Sequence, residues 1–350
     1  MITAAPPRFA DRFTAVRGYL AAATAGLPAR ETAASVRTHI AEWEQGRLDP
    51  LRLSQQLEAC RGHFAAIAGV PPDRVGIGAQ TSQLVSVIGT GVPDGSEVLC
   101  AAGDFASLAH PFEQLAGRGI TVRYAPLAEL AGEITPRTSL VAFSLVQSAT
   151  GEIADHRAIV REAAAAGART CADLTQSLGW YPVGAAEFDF AVCHAYKWLC
   201  APRGLAFLSV REALDETLAP LAAGWYSAGD PWGSCYADHM PLAPDAGRFD
   251  LSPAWPAVAG AEAALRHVAG LDLSAVERHD VGLANAARAV LGLEPGGSAI
   301  VAWADPDGRD LGAMRTAGLV AAGRAGNARI SFHLWNTEED VELLAAALGR

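Results

Sequence analysis

The chain has 350 residues, 27 Lys and Arg against 38 Asp and Glu, a formal net charge of −11, and 51% hydrophobic residues. That length holds one large core plus a smaller domain, and an acidic chain without a basic run excludes nucleic acid and anionic membrane as expected partners. Six cysteines without C-x-x-C spacing suit a reducing cytoplasm, the expected location; the start, MITAAPPRFADRF, lacks the basic-then-apolar order of a signal peptide, and no apolar run escapes Pro or charge long enough to span a bilayer.

In chain order, short apolar segments alternate with amphipathic ones. RVGIG, SEVLCAA, ITVRYAPL, SLVAFSLV, ARTCADL, FDFAVC and GLAFLSV read as strands, ending with residues 204–210. QLVSVIGTGV, SLAHPFEQLAG and DHRAIVREAAAAGA read as intervening helices. This alternation predicts an α/β fold with a mainly parallel, helix-covered sheet. From about Trp225 the pattern changes to a Trp, Tyr, Pro and Gly-rich stretch. A helix around WPAVAGAEAALRHVAG follows, then a small α/β unit with SAIVAWAD, ARISFHLW and a last helix. Thr337, with Glu338, Glu339 and Asp340 behind it, has the form of a capped helix start. The expected division is residues 1–225 and 226–350, with the N-terminal segment a candidate to join the smaller part.

Chemistry concentrates around Lys197, the only residue with a fixed charge between Asp189 and Arg203. An ammonium among Phe, Val, Cys, Trp and Leu must lose its proton, find a counter-ion or be modified. Desolvation also makes such an amine nucleophilic; a lysine whose head reaches water is the ordinary alternative. Upstream, a strand runs into Asp173, Gln176 follows three residues later, and a Gly-Pro turn leads to the strand that delivers Lys197. An acid at the carboxyl end of one strand and a lysine after the next converge on one crevice of an open sheet. In RVGIGAQTS a strand meets a helix start at Gln80, Thr81 and Ser82, where free N–H groups and hydroxyls can hold a phosphate. A Thr-Ser helix cap without a ligand also explains them. The G-x-G there lacks the third glycine of a dinucleotide fingerprint, and the chain has neither a G-x-S-x-G elbow nor an H-E-x-x-H metal motif.

Asp173-x-x-Gln176, the Asp-Phe strand, Lys197-Trp198-Leu199, Pro202-x-Gly204 and a further apolar strand together resemble the lysine region of fold-type I, aminotransferase class V enzymes. That superfamily includes cysteine desulfurases, kynureninase, isopenicillin N epimerase and several C–S lyases. The resemblance implies a seven-stranded, mainly parallel sheet between helices, a smaller C-terminal α/β domain, and pyridoxal 5'-phosphate as cofactor. Lys197 would hold the aldehyde and act as base, and Asp173 would keep the ring nitrogen protonated. Gln176 would bond the ring hydroxyl, and Gln80, Thr81 and Ser82 would take the phosphate. Phe105 would stack on the ring, a core phenylalanine being the alternative. His194 stands where relatives often place a phosphate-binding serine, and Tyr196 replaces the histidine that many have before the lysine.

Arg329 resembles the arginine that clamps a substrate α-carboxylate through two parallel charged hydrogen bonds. Ser252, in GRFDLSPAW, sits near where relatives send a hydroxyl across a dimer interface, which implies a homodimer with shared sites. Ser148 and Thr150, with Trp225 and Tyr226, are the candidates for contacts to the side chain of an amino-acid substrate. The stretch before Arg329, LVAAGRAGN, carries no cysteine, so desulfurase-type persulfide chemistry is not expected. β-Elimination from a cysteine conjugate is the expected reaction; transamination, racemisation or epimerisation, and a non-catalytic binding role are the alternatives.

Overall fold

A computed structural model of the chain describes residues 9–350. The first eight positions, which hold most of the start read above for a leader, lie outside them. Two helices open the fold, α1 (Arg30–Glu44) and α2 (Pro50–Ala68). The Asp49 side chain accepts from the N–H groups of Leu51 and Arg52, Pro50 occupies the first turn of α2, and Gly69 ends it in the left-handed region at φ 67°. Leu53, Leu57, Cys60 and Phe64 recur every three or four residues and form its buried stripe. Phe64 stacks on Phe207 with ring centroids 4.1 Å apart.

The main sheet contains β1 (Val75–Gly78), β2 (Glu97–Ala101), β3 (Thr121–Ala125), β4 (Thr138–Ser144), β5 (Arg169–Asp173), β6 (Phe190–His194) and β7 (Ala206–Val210). Their spatial order is β1-β7-β6-β5-β4-β2-β3. The five strands from β3 to β6 in this order pair in parallel, with α3 (Thr81–Thr90), α4 (Ala106–Glu113) and α5 (His156–Ala166) among the covering helices. β7 is antiparallel to both β6 and β1. Its direction follows from the connection: residues 195–205 turn back without a crossover helix, so the next strand must run the other way. Central strands are buried on both faces, as expected under two helical layers, whereas the edge strand β3 is largely open.

The smaller unit packs α7 (Leu273–Leu291), α8 (Arg309–Thr316) and α9 (Glu338–Leu348) with an antiparallel sheet of order β8-β10-β9. Its strands are β8 (Ile300–Ala304), β9 (Ala322–Arg324) and β10 (Asn327–Ser331). At the start of α9 the Asp340 carboxylate accepts from Thr337 N at 3.0 Å, the cap anticipated from the acids there. Packing crosses the expected 225/226 boundary in both directions. Tyr19 and Ala21 bridge to Val320 and Ser331 of the small unit, while α6 (Trp255–Ala269) buries Val258, Ala261, Leu265 and Val268 in the core of the large sheet. Among the described residues no helix is long and apolar enough to cross a membrane.

Asp250 ties this later segment to the edge strand. Its buried carboxylate accepts from Ile77 N at 2.7 Å and from Arg61 Nη2 at 2.5 Å, and Leu251 N donates to Ile77 O at 2.9 Å. Asp250→Ala leaves the buried Arg61 guanidinium with only the exposed Glu58 carboxylate and takes away the acceptor of Ile77 N. The expected loss is about 3–5 kcal/mol, read as a lower urea midpoint with an unchanged slope.

Candidate active site

The carboxyl ends of the parallel strands deliver the polar side chains. β4 ends at Ser144, β5 at Asp173 and β6 at His194, and the segment after β2 carries Asp104 and Phe105. The Asp104 carboxylate accepts from Ser144 N and Oγ at 2.6 and 2.5 Å, fixing the two strand ends together. One pocket is lined by Gln80, Thr81, Phe105, Ser148, Asp173, Gln176, His194 and Lys197, all of them among the expected residues. It also takes in Tyr196 and Arg203. A larger groove of about 690 Å³ beside Tyr226, Trp232 and Asp250 lies elsewhere, and its Arg61 and Asp250 already pair with each other.

Lys197 is held by its backbone. Gly26 N donates to Tyr196 O at 2.8 Å, and a Cβ at Gly26 would lie 2.0 Å from Lys197 O, so no larger residue fits there. Cys200 closes the turn in the left-handed region at φ 54°, its N–H donating to Lys197 O at 3.1 Å. That conformation is strained for a residue with a side chain. Behind the turn, His333 Nε2 lies 2.9 Å from Trp198 O and Nδ1 lies 2.7 Å from Asp280 Oδ2. Both partners are acceptors, so both ring nitrogens carry protons. Burial alone would lower the pKa of His333; the Asp280 carboxylate raises it to about 10.

Lys197 as a whole is 6% exposed. Burial lowers its pKa to about 8, with Arg329 and Arg324 acting in the same direction and Asp173 opposing them. Burial also raises Asp173 to about 6, against the stabilising hydrogen bond from Thr175 N at 2.8 Å and the field of Lys197. Gln176 is fully engaged: Nε2 donates to Ala23 O and Ser148 Oγ at 3.0 and 2.9 Å, and Oε1 accepts from Trp198 Nε1 at 2.8 Å. Arg329 is 2% exposed and donates through Nη1 to Ser148 O, and to Ser148 Oγ at 3.1 Å, and through Nη2 to Thr24 Oγ1 at 2.8 Å. Burial, then Arg324, lowers its pKa to about 10. No carboxylate faces it among the described residues.

His194 supplies a test of the expected cofactor. Its Nε2 is buried without a hydrogen-bond partner among the described residues, and burial, followed by Arg203 and Lys197, lowers its pKa to about 4. A neutral imidazole therefore faces the pocket with a nitrogen to share. Beside it, Gln80 begins α3 without a side-chain cap, which leaves the first N–H groups of that helix free for an anion. A phosphate fits that end, and Lys197 and Asp173 fit the aldehyde and ring nitrogen. The Phe105 ring centroid lies 5.5 Å from the Lys197 amine. Several expected residues are not in this lining: Ser82 sits one position along α3, its O accepting from Ser86 Oγ; Ser252 is exposed in the segment leading to α6; Thr150, Trp225 and Tyr226 lie outside it, Tyr226 in the larger groove; and Arg329 reaches it through Ser148.

Fold and site together define a pyridoxal-phosphate-dependent enzyme of fold-type I. The aminotransferase class-V family model matches residues 49–307, and the chain belongs to that family. It is 28% identical over 316 residues to YcbU, an uncharacterized aminotransferase of Bacillus subtilis (strain 168), covering 82% of this chain and 81% of that one. It is also 28% identical over 349 residues to isopenicillin N epimerase of Amycolatopsis lactamdurans, covering 85% and 86%. A mutant of C-DES with glycine covalently linked to its PLP cofactor shares the fold at a TM-score of 0.88, with 19% identity and coverage of 98% and 99%.

Sequence reasoning did not find Arg203, Thr24, or the Asp280–His333 pair. A histidine inside the apolar run RISFHLW was the available signal for the last.

Capture of pyridoxal phosphate by the apoprotein, trapped by borohydride as added mass on the Lys197 peptide, is expected to quicken as pH rises through about 8, because the neutral amine is the nucleophile. Lys197→Ala should abolish both the trapped mass and the yellow colour.

Proposed function

We propose that this enzyme removes the α-proton of an amino acid and then expels a substituent from Cβ, with a cysteine conjugate as substrate: a C–S lyase-type β-elimination. The observation that carries the amino-acid part is the buried Arg329, whose guanidinium has only neutral oxygen partners. Its planar fork matches a carboxylate in two parallel bonds.

Bound pyridoxal phosphate supplies the electron sink for charge released at Cα. The Lys197 amine, neutral above about pH 8, accepts the Cα proton. Asp173 holds a proton at the ring nitrogen. Both amide hydrogens of Gln176 are engaged, so a bond from it to the ring hydroxyl requires release of Ser148 Oγ. Ser148 is then free to turn toward the substrate. As the Cβ–S bond breaks, its electron pair leaves with sulfur, which takes up a proton; water then releases the remainder as pyruvate and ammonia.

Elimination over persulfide chemistry is supported by the absence of cysteine from the pocket lining among the described residues; Cys235 lies outside it, its Sγ 3.4 Å from Pro231 O. Epimerisation requires a second acid at Cα; Phe105 has no proton to give, but Tyr196, its ring 5.6 Å from the same amine, does, so the lining leaves that outcome open to the product test. Transamination requires the amine to return its proton to the cofactor, and nothing in the lining disfavours that outcome. We also infer a homodimer in which the exposed Ser252 reaches the neighbour's phosphate.

The expected products from a panel of cysteine conjugates are pyruvate and ammonia in equal amounts. A keto acid with the cofactor left in its amine form would instead mark an aminotransferase, and solvent hydrogen at Cα with neither product would mark an epimerase. Arg329→Ala should raise KM for the amino acid roughly 10- to 100-fold, from the 1.5–3 kcal/mol of a charged hydrogen bond, with cofactor affinity far less affected. Equal loss of both would make the arginine structural.

A further inference from the structure

Arg203 lines the pocket, Arg329 bonds Ser148 of that lining, and Arg324 shares the small sheet with Arg329; none of the three has a carboxylate partner among the described residues. Arg329 is assigned to the α-carboxylate on the reading above. Arg203 follows Lys197 on the same turn, lies over the Tyr196 ring at 5.0 Å and acts on His194, which places it at the phosphate end. Arg324 remains.

Sheet register fixes where Arg324 points. β9 and β10 are antiparallel, with Arg324 opposite Asn327 and Ala322 opposite Arg329. Directly opposite residues project to the same face, and so do residues two apart along a strand. Arg324 and Arg329 therefore share a face of the small sheet. With about 3.4 Å per residue along the strand and about 5 Å between strands, their Cα atoms are roughly 8 Å apart. Arg329 is buried, whereas Arg324 is exposed beside the hairpin turn at Ala325. Its recorded hydrogen bond, from Nη1, goes to the adjacent Gly323 O at 2.7 Å, which leaves Nη2 and Nε for a ligand. The effect of Arg324 on Lys197, Tyr196 and Arg329 agrees with this placement.

We propose that Arg324 recognises a second anionic group, at the far end of the substrate side chain, so that the substrate class is a cysteine conjugate whose S-substituent ends in a carboxylate. The cation inventory points the same way. A cofactor phosphate and an α-carboxylate account for Arg203 and Arg329, and a neutral side chain would leave Arg324, exposed on the same sheet face as Arg329, with nothing to bind. In a chain of net charge −11, a carboxylate partner from the protein itself would be easy to supply, and none is present among the described residues.

The inference rests on the amino-acid reading above, and two isosteric probes separate them: S-(2-carboxyethyl)-cysteine and its amide, S-(2-carbamoylethyl)-cysteine. Binding is followed by the change each causes in the visible band of the cofactor-loaded enzyme, and turnover by pyruvate release. The wild type is expected to bind the acid at least ten-fold more tightly than the amide. Arg324→Gln should reduce that ratio to about two-fold or less, and Arg324→Lys should keep part of it. Equal binding of the two probes by the wild type, or an unchanged ratio in Arg324→Gln, would overturn the assignment. A preference for the acid that disappears in Arg324→Gln without pyruvate release would uphold Arg324 and sink the elimination. No spectral change with either probe would overturn both.

Discussion

The charge on Lys197 is expensive where it sits, and one carboxylate, Asp173, is the anion that acts on it most strongly. Burial and two arginines push the proton off the amine; Asp173 holds it on. Close to pH 8 the balance stands even, the condition under which a lysine serves as nucleophile and then as base. That balance depends on distance, so the backbone around the lysine must not move. Gly26 presses against Lys197 O, and a Cβ at Gly179 would lie 2.8 Å from Trp198 O. The His333 imidazolium grips that same Trp198 carbonyl from the other side. The antiparallel return into β7 is the topological counterpart: a compact turn, in place of a crossover helix, carries the reactive group.

The remaining polar groups divide the pocket by sign and by end. On the reading proposed above, the uncapped start of α3, the neutral His194 and Arg203 make an anion site at one end. Arg329 and Arg324, on one face of the small sheet, would make another. Between them stand the pair that exchanges protons. A positive pocket in a chain of net charge −11 favours anionic ligands over the bulk of the surface, and its field acts over about a Debye length, near 8 Å at physiological salt.

Much of this was legible because it is local. Strand-ending Asp173, the lysine turn and the capped start of α9 depend on residues adjacent in sequence, and all seven strands of the main sheet follow from apolar runs between turn signals. α1, α2, α7 and α8 were not read out, since their apolar stripes are diluted by alanine and charge and take their meaning from other elements of the fold. β9 has three residues, too few for a periodic signal. Asp280 and His333 are 53 positions apart, and each alone reads as an ordinary polar residue. Ser82 shows the opposite error: the helix start was correctly placed, but only the residues at its first positions face the pocket.

In the proposed role of carboxylate clamp, Arg329 gains selectivity from being already bonded. Its partners come from distant segments, Thr24 near the N-terminus and Ser148 after β4, and both are neutral oxygens. An end-on two-bond contact through both terminal nitrogens displaces at least one of them. A neutral amide would exchange one bond of about 0.5–1.5 kcal/mol for another of the same kind, with little gain. A carboxylate replaces it with a charged bond of about 1.5–3 kcal/mol, a difference near 1 kcal/mol per bond and so roughly five-fold in affinity. Thr24 and Ser148 thus act as placeholders that keep the buried guanidinium solvated until a carboxylate arrives, and releasing Ser148 also frees Gln176. Substrate entry at Arg329 and the hydrogen bonding of Gln176 are thereby joined through a single serine hydroxyl.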